Sequence, residues 1–161
     1  SDFIDSSDCS LAIKENVNYA DRVFWEARLL DNYQESNELT DYIKTQHAKY
    51  DLLRAMIWMN SIKIKQDCNA QYHNVVYLYK FNEPSIEQKA KQGVFSNLLE
   101  ELKQEKGSEI MLIPIAADNG IISIDLLIKK YGIKTLPVIL IDEKTKIEDV
   151  ESKEDIAKYL D

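Results

Sequence analysis

The chain has 161 residues, 45% of them hydrophobic and 30% charged, which suits one domain, or a small domain with an appendage, around a buried core. Its formal net charge of −8 is spread over both halves of the chain, and an acidic chain without clustered Lys and Arg is a poor ligand for nucleic acids. No stretch of about 18 uninterrupted apolar residues occurs, so the sequence predicts no membrane-spanning helix.

Two helices are predicted within residues 1–70. The first carries an apolar stripe at helical spacing and is expected to end in the polar run of residues 31–37, and the second carries a similar stripe. A short connection between two helices makes them antiparallel neighbours, so this segment is expected to form a helical hairpin. The first stripe is Ile13, Val17, Ala20, Phe24 and Ala27, widened by Val23 and Leu30, and the second is Leu39, Tyr42, Ile43, Tyr50, Leu53 and Ile57.

Aromatic and Met side chains are concentrated in the same hairpin. Such residues at helical spacing usually belong to a core. Two of them, Trp25 and Trp58, lie off the main stripes, so a docking groove or a dimer interface remains an alternative. The set is Phe24, Trp25, Met56, Trp58 and Met59.

The two cysteines are predicted to form a structural disulfide. Cys9 precedes the first helix and Cys68 follows the second, so an antiparallel hairpin brings both to the same end. Closing a loop of this length stabilises a fold by roughly 4 kcal/mol in the chain-entropy model. The alternative is two unrelated thiols in a cytoplasmic protein, but free cysteines usually lie in apolar stretches, and these lie in polar runs.

A disulfide in turn predicts an oxidising, extracytoplasmic compartment, with the cytoplasm as the alternative. The chain begins at Ser1 without an initiator Met, which leaves room for a signal peptide or a membrane tether upstream.

Residues 71–161 predict the element order β-α-β-α-β-β-α. Val75–Tyr79 and Ile110–Ala116 are apolar runs typical of buried strands, and Pro114 places the second of them towards a sheet edge. Two consecutive βα units predict a parallel strand pair, and the closing hairpin adds antiparallel strands. A last helix is predicted from Ser152 to Leu160, with a capping pattern at its start.

The stretch Ile124–Ile141 links the last βα unit to the closing hairpin. It reads as an amphipathic helix that ends at Gly132, followed by Pro137 and the apolar strand of residues 138–141. The run KYGIKTLPVILID, with the closing IEDVESKEDIAKYL, resembles the second half of a thioredoxin-like domain.

This resemblance covers about residues 74–161. It implies an α/β, thioredoxin-like β-α-β-α-β-β-α domain in residues 71–161, preceded by the α-helical hairpin of residues 1–70. It also implies a cis peptide bond before Pro137 and an antiparallel strand after it.

The resemblance does not extend to redox chemistry. Redox members of the family carry a Cys-x-x-Cys motif after the first strand, where the helix N-terminus lowers the pKa of the leading thiol. Here that segment reads EPSIEQK, without cysteine, and Cys68 lies before the first strand rather than after it. His47 and His73 are not at metal-ligand spacing and are expected to have surface or packing roles. We therefore predict no catalytic residue, no cofactor and no metal site.

Although it does not extend to redox chemistry, the resemblance implies a polypeptide-binding surface. In the family, the residue before the cis-proline offers backbone hydrogen bonds to an extended polypeptide. The simpler interpretation is that Pro137 only shapes the turn into its strand. The candidate polypeptide-binding residues are Glu83, Pro84, Ser85, Ile86, Thr135, Leu136 and Pro137.

These observations favour a non-catalytic protein-binding or assembly domain, extracytoplasmic and open to membrane tethering, with a protein or peptide partner and no nucleic acid. One alternative is a thiol-disulfide redox protein that uses Cys9 and Cys68 with a partner. Another is a structural spacer domain of a larger membrane protein. The sequence leaves dimerisation open.

Overall fold

The computed structural model describes residues 8–36 and 41–161, and the side chains of residues 30–36 are outside that description. The chain forms two compact units, the first ending at Gln71 and the second beginning at Tyr72. The positions predicted for Leu30 and Leu39 lie outside the described side chains.

The first unit is a pair of helices, α1 (Cys9–Ser36) and α2 (Asp41–Cys68). The helix end predicted in residues 31–37 is confirmed, because α1 ends at Ser36, near the end of that run. Residues 31–36 are polar but contain neither Gly nor Pro, so nothing in them interrupts helical backbone hydrogen bonding. The apolar residues buried in this unit include Val17, Ala20, Val23, Phe24 and Ala27 on α1, and Ile43, Ala55, Ile57, Trp58 and Ile64 on α2.

The buried face of α2 is more polar than the sequence predicts. His47 Nδ1 lies 2.9 Å from Asp51 Oδ2, one helical turn away, and both side chains are buried. His47 therefore has the packing role that was one of its two expected roles. Tyr42, placed on the apolar stripe by its spacing, is 71% exposed, so its core assignment is wrong.

The second unit is an α/β domain with a four-stranded mixed sheet. Its strands run in the order β2-β1-β3-β4, with β1 and β2 parallel and the pairs β1–β3 and β3–β4 antiparallel. The predicted element order is confirmed, and Pro114 lies on an edge strand as expected. The elements are β1 (His73–Tyr79), α3 (Ile86–Lys106), a 3₁₀ turn (Gly107–Glu109), β2 (Ile110–Ala116), α4 (Ile122–Lys130), β3 (Val138–Ile141), β4 (Thr145–Ile147) and α5 (Glu154–Ala157).

The C-terminal helix is shorter than predicted, because α5 covers only Glu154–Ala157 of the expected range. Beyond it, the N–H groups of Tyr159 and Leu160 donate to carbonyls three residues back, so the helix tightens into 3₁₀-type turns. Part of the predicted capping pattern is present: the Ser152 N–H donates to Asp155 Oδ2 at 3.1 Å.

The last turn of α3 contains a buried lysine. Lys103 is 6% exposed, and its Nζ donates to the carbonyl oxygens of Gly107 at 2.7 Å and Ile110 at 2.9 Å. These bonds occupy carbonyls at the end of the helix and at the start of β2, where the last helical carbonyls have no intrahelical donor. Lys103 thus fixes the crossover from α3 into the sheet.

None of the helices in the described part of the chain combines the length and the apolar character needed to cross a bilayer.

Candidate functional site

The candidate residues of the sequence lie at one edge of the sheet. Tyr79 pairs with Ala116 at the carboxyl ends of β1 and β2, and Leu78 pairs with Val138 at the start of β3. The β1–α3 loop, the β2–α4 turn and the loop before β3 therefore all leave the sheet at this edge. In open α/β sheets ligands bind outside the carboxyl ends of the strands, so this is where a site is expected.

Asp118, in the β2–α4 turn, holds the β1–α3 loop. Its carboxylate accepts the backbone N–H groups of Phe81 at 2.8 Å and Asn82 at 2.9 Å, and Lys80 Nζ lies 3.4 Å from it. The Asn82 side-chain amide donates in turn to the Asp118 carbonyl at 3.1 Å and to Asn119 Oδ1 at 3.1 Å. The loop is thus fixed by a two-way set of hydrogen bonds rather than by apolar packing.

The electrostatics of Asp118 agree with this role. Partial burial is the largest single influence on the pKa of Asp118 and raises it, but the other contributions together lower this pKa by more. The N–H donors of Phe81 and Asn82, followed by the charge of Lys80, hold the pKa of Asp118 below its usual value. Asp118 therefore stays ionised at neutral pH.

Gln92, on α3, fixes the other side of the same loop. Its side-chain oxygen accepts the Lys80 N–H at 2.8 Å, and its side-chain nitrogen donates to the Lys80 carbonyl at 3.1 Å. A side-chain amide that both donates and accepts in this way replaces the pairing that a neighbouring strand would supply. The backbone that follows β1 is consequently held from both α3 and the β2–α4 turn.

Ser85 caps the N-terminus of α3. Its hydroxyl accepts the Gln88 N–H at 3.1 Å, and its own N–H donates to Gln88 Oε1 at 3.0 Å, which completes a capping box. Just before it, Glu83 has a φ of 47°, a left-handed conformation uncommon for a non-glycine residue. Just after it, Ile86 projects from the first turn of α3 and is 92% exposed.

The loop before β3 presents open backbone groups. Thr135 is exposed, Leu136 is half-buried, and Pro137 is buried behind a cis peptide bond. In the described chain, no hydrogen bond involves the backbone of Thr135 or Leu136. These groups are therefore available to an extended polypeptide placed along the loop.

The second unit contains no cysteine. Both cysteines of the chain are in the first unit and are joined, with 5.4 Å between their Cα atoms, which confirms the predicted Cys9–Cys68 disulfide. Among the described residues, no group of three or more His, Cys, Asp or Glu side chains is arranged to hold a metal ion. What the edge offers is hydrogen-bonding backbone and an apolar contact.

A second polar cluster lies at the opposite edge of the sheet. Asp142 bonds His73 Nδ1 at 2.6 Å and accepts the Asn74 N–H at 2.9 Å, so the β3–β4 turn is tied to the start of β1. Both Asp142 and Glu143 have positive φ, and the Lys144 N–H donates to the Ile141 carbonyl, as in a type I′ turn. Sequence reasoning missed this cluster, because its partners are far apart in the chain.

The residues that position the candidate loop were also missed. Asp118 reads as a solvated turn residue and Gln92 as an exposed helix residue. The available signal was the position of Asp118 directly after a buried strand, where polar side chains meet neighbouring loops.

The chain matches no protein-family model, and no curated protein sequence is significantly similar to it. The function of this edge is therefore argued from its geometry.

Proposed function

We propose that the chain is a non-catalytic, thioredoxin-like polypeptide-binding domain with a disulfide-linked helical hairpin, active in an oxidising, extracytoplasmic compartment. The strand arrangement supports this proposal. A parallel pair joined through a helix, followed by an antiparallel hairpin, is what the thioredoxin-like resemblance implies, and the second unit has that arrangement.

The observation that carries the proposal is the open backbone of Thr135 and Leu136 beside a fixed loop. Backbone donors and acceptors without partners can pair with an added strand, and main-chain pairing supplies affinity in this mode of recognition. The β1–α3 loop at the same edge is held by Asp118 and Gln92, so little ordering entropy opposes binding. The side chain of Ile86, 92% exposed, offers an apolar contact there.

The disulfide supports the proposed compartment. Structural disulfides persist in oxidising environments and are rare where thioredoxin and glutathione keep thiols reduced. The redox alternative predicts a reduced resting state, whereas Cys9 and Cys68 are joined here; because an oxidised redox pair is also a disulfide, turnover of a disulfide substrate is part of the test.

The test is peptide binding by the full chain. Random decapeptides would be selected against the wild type, and the dissociation constants of the enriched peptides would be measured by fluorescence anisotropy. Thr135→Pro removes a backbone N–H at the open loop, and Ile86→Lys removes the exposed apolar side chain. Val94→Lys is the matched control for the second change, because Val94 is an exposed apolar residue further along α3.

We expect Thr135→Pro and Ile86→Lys each to weaken binding at least tenfold, and Val94→Lys to leave it unchanged. Peptides that bind all four proteins equally would refute the site. Turnover of a disulfide substrate that survives replacement of both cysteines by Ser would refute the non-catalytic assignment.

A further inference from the structure

Charge is unevenly distributed over the second unit. The segment from Ile122 to Ile147 contains five lysines and three carboxylates, a net charge of +2, in a chain whose total is −8. All five lysines are exposed. They are Lys129 and Lys130 at the end of α4, Lys134 in the following loop, Lys144 in the β3–β4 turn and Lys146 on β4.

Two of the three carboxylates of this segment contact groups on β1, and the third, Asp125, lies one helical turn before Lys129 on α4. Asp142 bonds His73 and the Asn74 N–H, and the Glu143 carboxylate lies 3.4 Å from the Asn74 side-chain amide. Within residues 8–36 and 41–161, none of the five ammonium groups forms an ion pair with a carboxylate. Their positive charge is therefore available to a partner.

The lysines extend from Lys134, beside the candidate site, to Lys144 in the β3–β4 turn at the opposite edge of the sheet. Lys146 Nζ donates to the Gly132 carbonyl at 3.0 Å, which places β4 against the end of α4. Lys130 Nζ lies 5.5 Å from the centre of the Tyr131 ring in the same region. Lys134 directly precedes Thr135, whose backbone is open.

Helix α4 adds an apolar contact to this surface. Ile122 is 75% exposed and Leu126 is 62% exposed, and residues four apart lie on the same face of a helix. Lys129 and Lys130 follow in the next turn of α4. The basic surface, defined as these two apolar residues and the five lysines, thus combines exposed aliphatic groups with five exposed positive charges.

We infer that the basic surface selects acidic polypeptides, so that the peptide held at Thr135 and Leu136 carries carboxylates. This inference rests on the proposed function and names its substrate class. Carboxylates on alternate residues of an extended strand lie about 7 Å apart on one face, which suits several lysines rather than one. An acidic lipid surface fits less well, because the open backbone groups beside Lys134 are hydrogen-bonding partners for a polypeptide strand.

The probes are three fluorescein-labelled decapeptides of the form Gly-(X-Val)₄-Gly, with X as Glu, Gln or Lys. The test variant is Lys129→Glu, Lys130→Glu and Lys134→Glu together. The control variant is Lys89→Glu, Lys106→Glu and Lys158→Glu, which gives the same net charge with substitutions on α3 and at the end of α5. Thermal melts establish that both variants are folded.

We expect the Glu peptide to bind the wild type at least tenfold more tightly than the Lys peptide, and this preference to weaken in 300 mM salt. The test variant loses the preference and the control variant keeps it. An equal loss in both variants would mean that net charge alone decides binding, which refutes the surface.

The Gln peptide separates the two proposals. If it binds the wild type, fails to bind Thr135→Pro, and matches the Glu and Lys peptides in affinity, the proposed function stands and the acidic preference is refuted. If no peptide binds, both are refuted. Vesicles of phosphatidylglycerol and phosphatidylcholine that bind the wild type but not the test variant, without any peptide preference, would assign the surface to a membrane instead.

Discussion

The carboxylate of Asp118 accepts the backbone N–H of Phe81 at 2.8 Å and so joins the β2–α4 turn to the β1–α3 loop. These two segments are 37 residues apart in the chain, and the bond sits where the parallel strands end. Asp118 therefore positions part of the candidate site, together with Gln92 on α3.

Replacing this carboxylate should destabilise the second unit. Asp118→Ala leaves the N–H groups of Phe81 and Asn82 without their acceptor, and we expect the free energy of unfolding to fall by about 2–3 kcal/mol. Urea denaturation at pH 7 measures the change. Asp125→Ala is the control, because Asp125 is exposed on α4, and its loss should cost less than about 0.5 kcal/mol. Equal effects of the two substitutions would contradict the role of Asp118.

The same bond makes stability depend on pH. Because the folded pKa of Asp118 lies below its unfolded value of about 4, its contribution is complete above that pH and is lost as the pH falls through the folded pKa. We therefore expect the difference in unfolding free energy between wild type and Asp118→Ala to shrink between pH 5 and pH 2. Urea titrations across this range measure it, and a constant difference would contradict the assignment.

Replacing Lys103 should destabilise the fold more than replacing Lys106, which lies in the same last turn of α3. Lys103→Met keeps the length of the side chain but leaves the carbonyls of Gly107 and Ile110 without this donor, and we expect a loss of about 2 kcal/mol. Lys106→Met removes a charge from the same helical turn without removing those bonds. If Lys106→Met is as destabilising, the effect of Lys103 comes from the helix dipole alone.

Asp142 should stabilise the closing hairpin of the sheet. Asp142→Ala removes the bonds to His73 and to the Asn74 N–H and puts an alanine at a φ of 50°, so we expect a loss of about 2 kcal/mol. Glu148→Ala, an exposed carboxylate just after β4, is the control. Thermal melts of both variants make the comparison, and similar midpoints would show that the turn holds without Asp142.

Removing the disulfide should destabilise the hairpin unit by about 4 kcal/mol, the value for a closed loop of this length. Cys9→Ala, Cys68→Ala and the double variant should be equally destabilised, because either single change breaks the bridge. Hydrogen exchange in α1 and α2 measures the loss. Intact mass after denaturing alkylation checks the premise: the wild type should gain two alkyl groups only after reduction.

Much of the fold was predictable because its signals are local. Apolar runs predicted β1 and β2, and a single proline placed β2 at the edge. The disulfide was predictable because the hairpin topology alone brings Cys9 and Cys68 together.

The exact end of α5 was not predictable in the same way, and α1 continues through most of the polar run in which its end was predicted. Polar residues such as those at positions 31–36 favour loops on average, yet continued backbone bonding keeps them helical here. The two residues that hold the β1–α3 loop, Asp118 and Gln92, were not predictable either. Asp118 and Gln92 form hydrogen bonds with backbone groups. Because backbone groups are the same at nearly every residue, the sequence does not show which of them bond a distant side chain.

The Cys9–Cys68 bridge also defines how the chain would carry tension. The bond joins the first residue of α1 to the last residue of α2, at a sequence separation of 59, so a pull applied before Cys9 and after Cys68 passes through two sulfur atoms and bypasses the residues between them. With the bond intact, α1 and α2 bear no load. Once it is reduced, the same pull can draw out about 200 Å of chain, so the redox state of one bond sets the reach of the molecule.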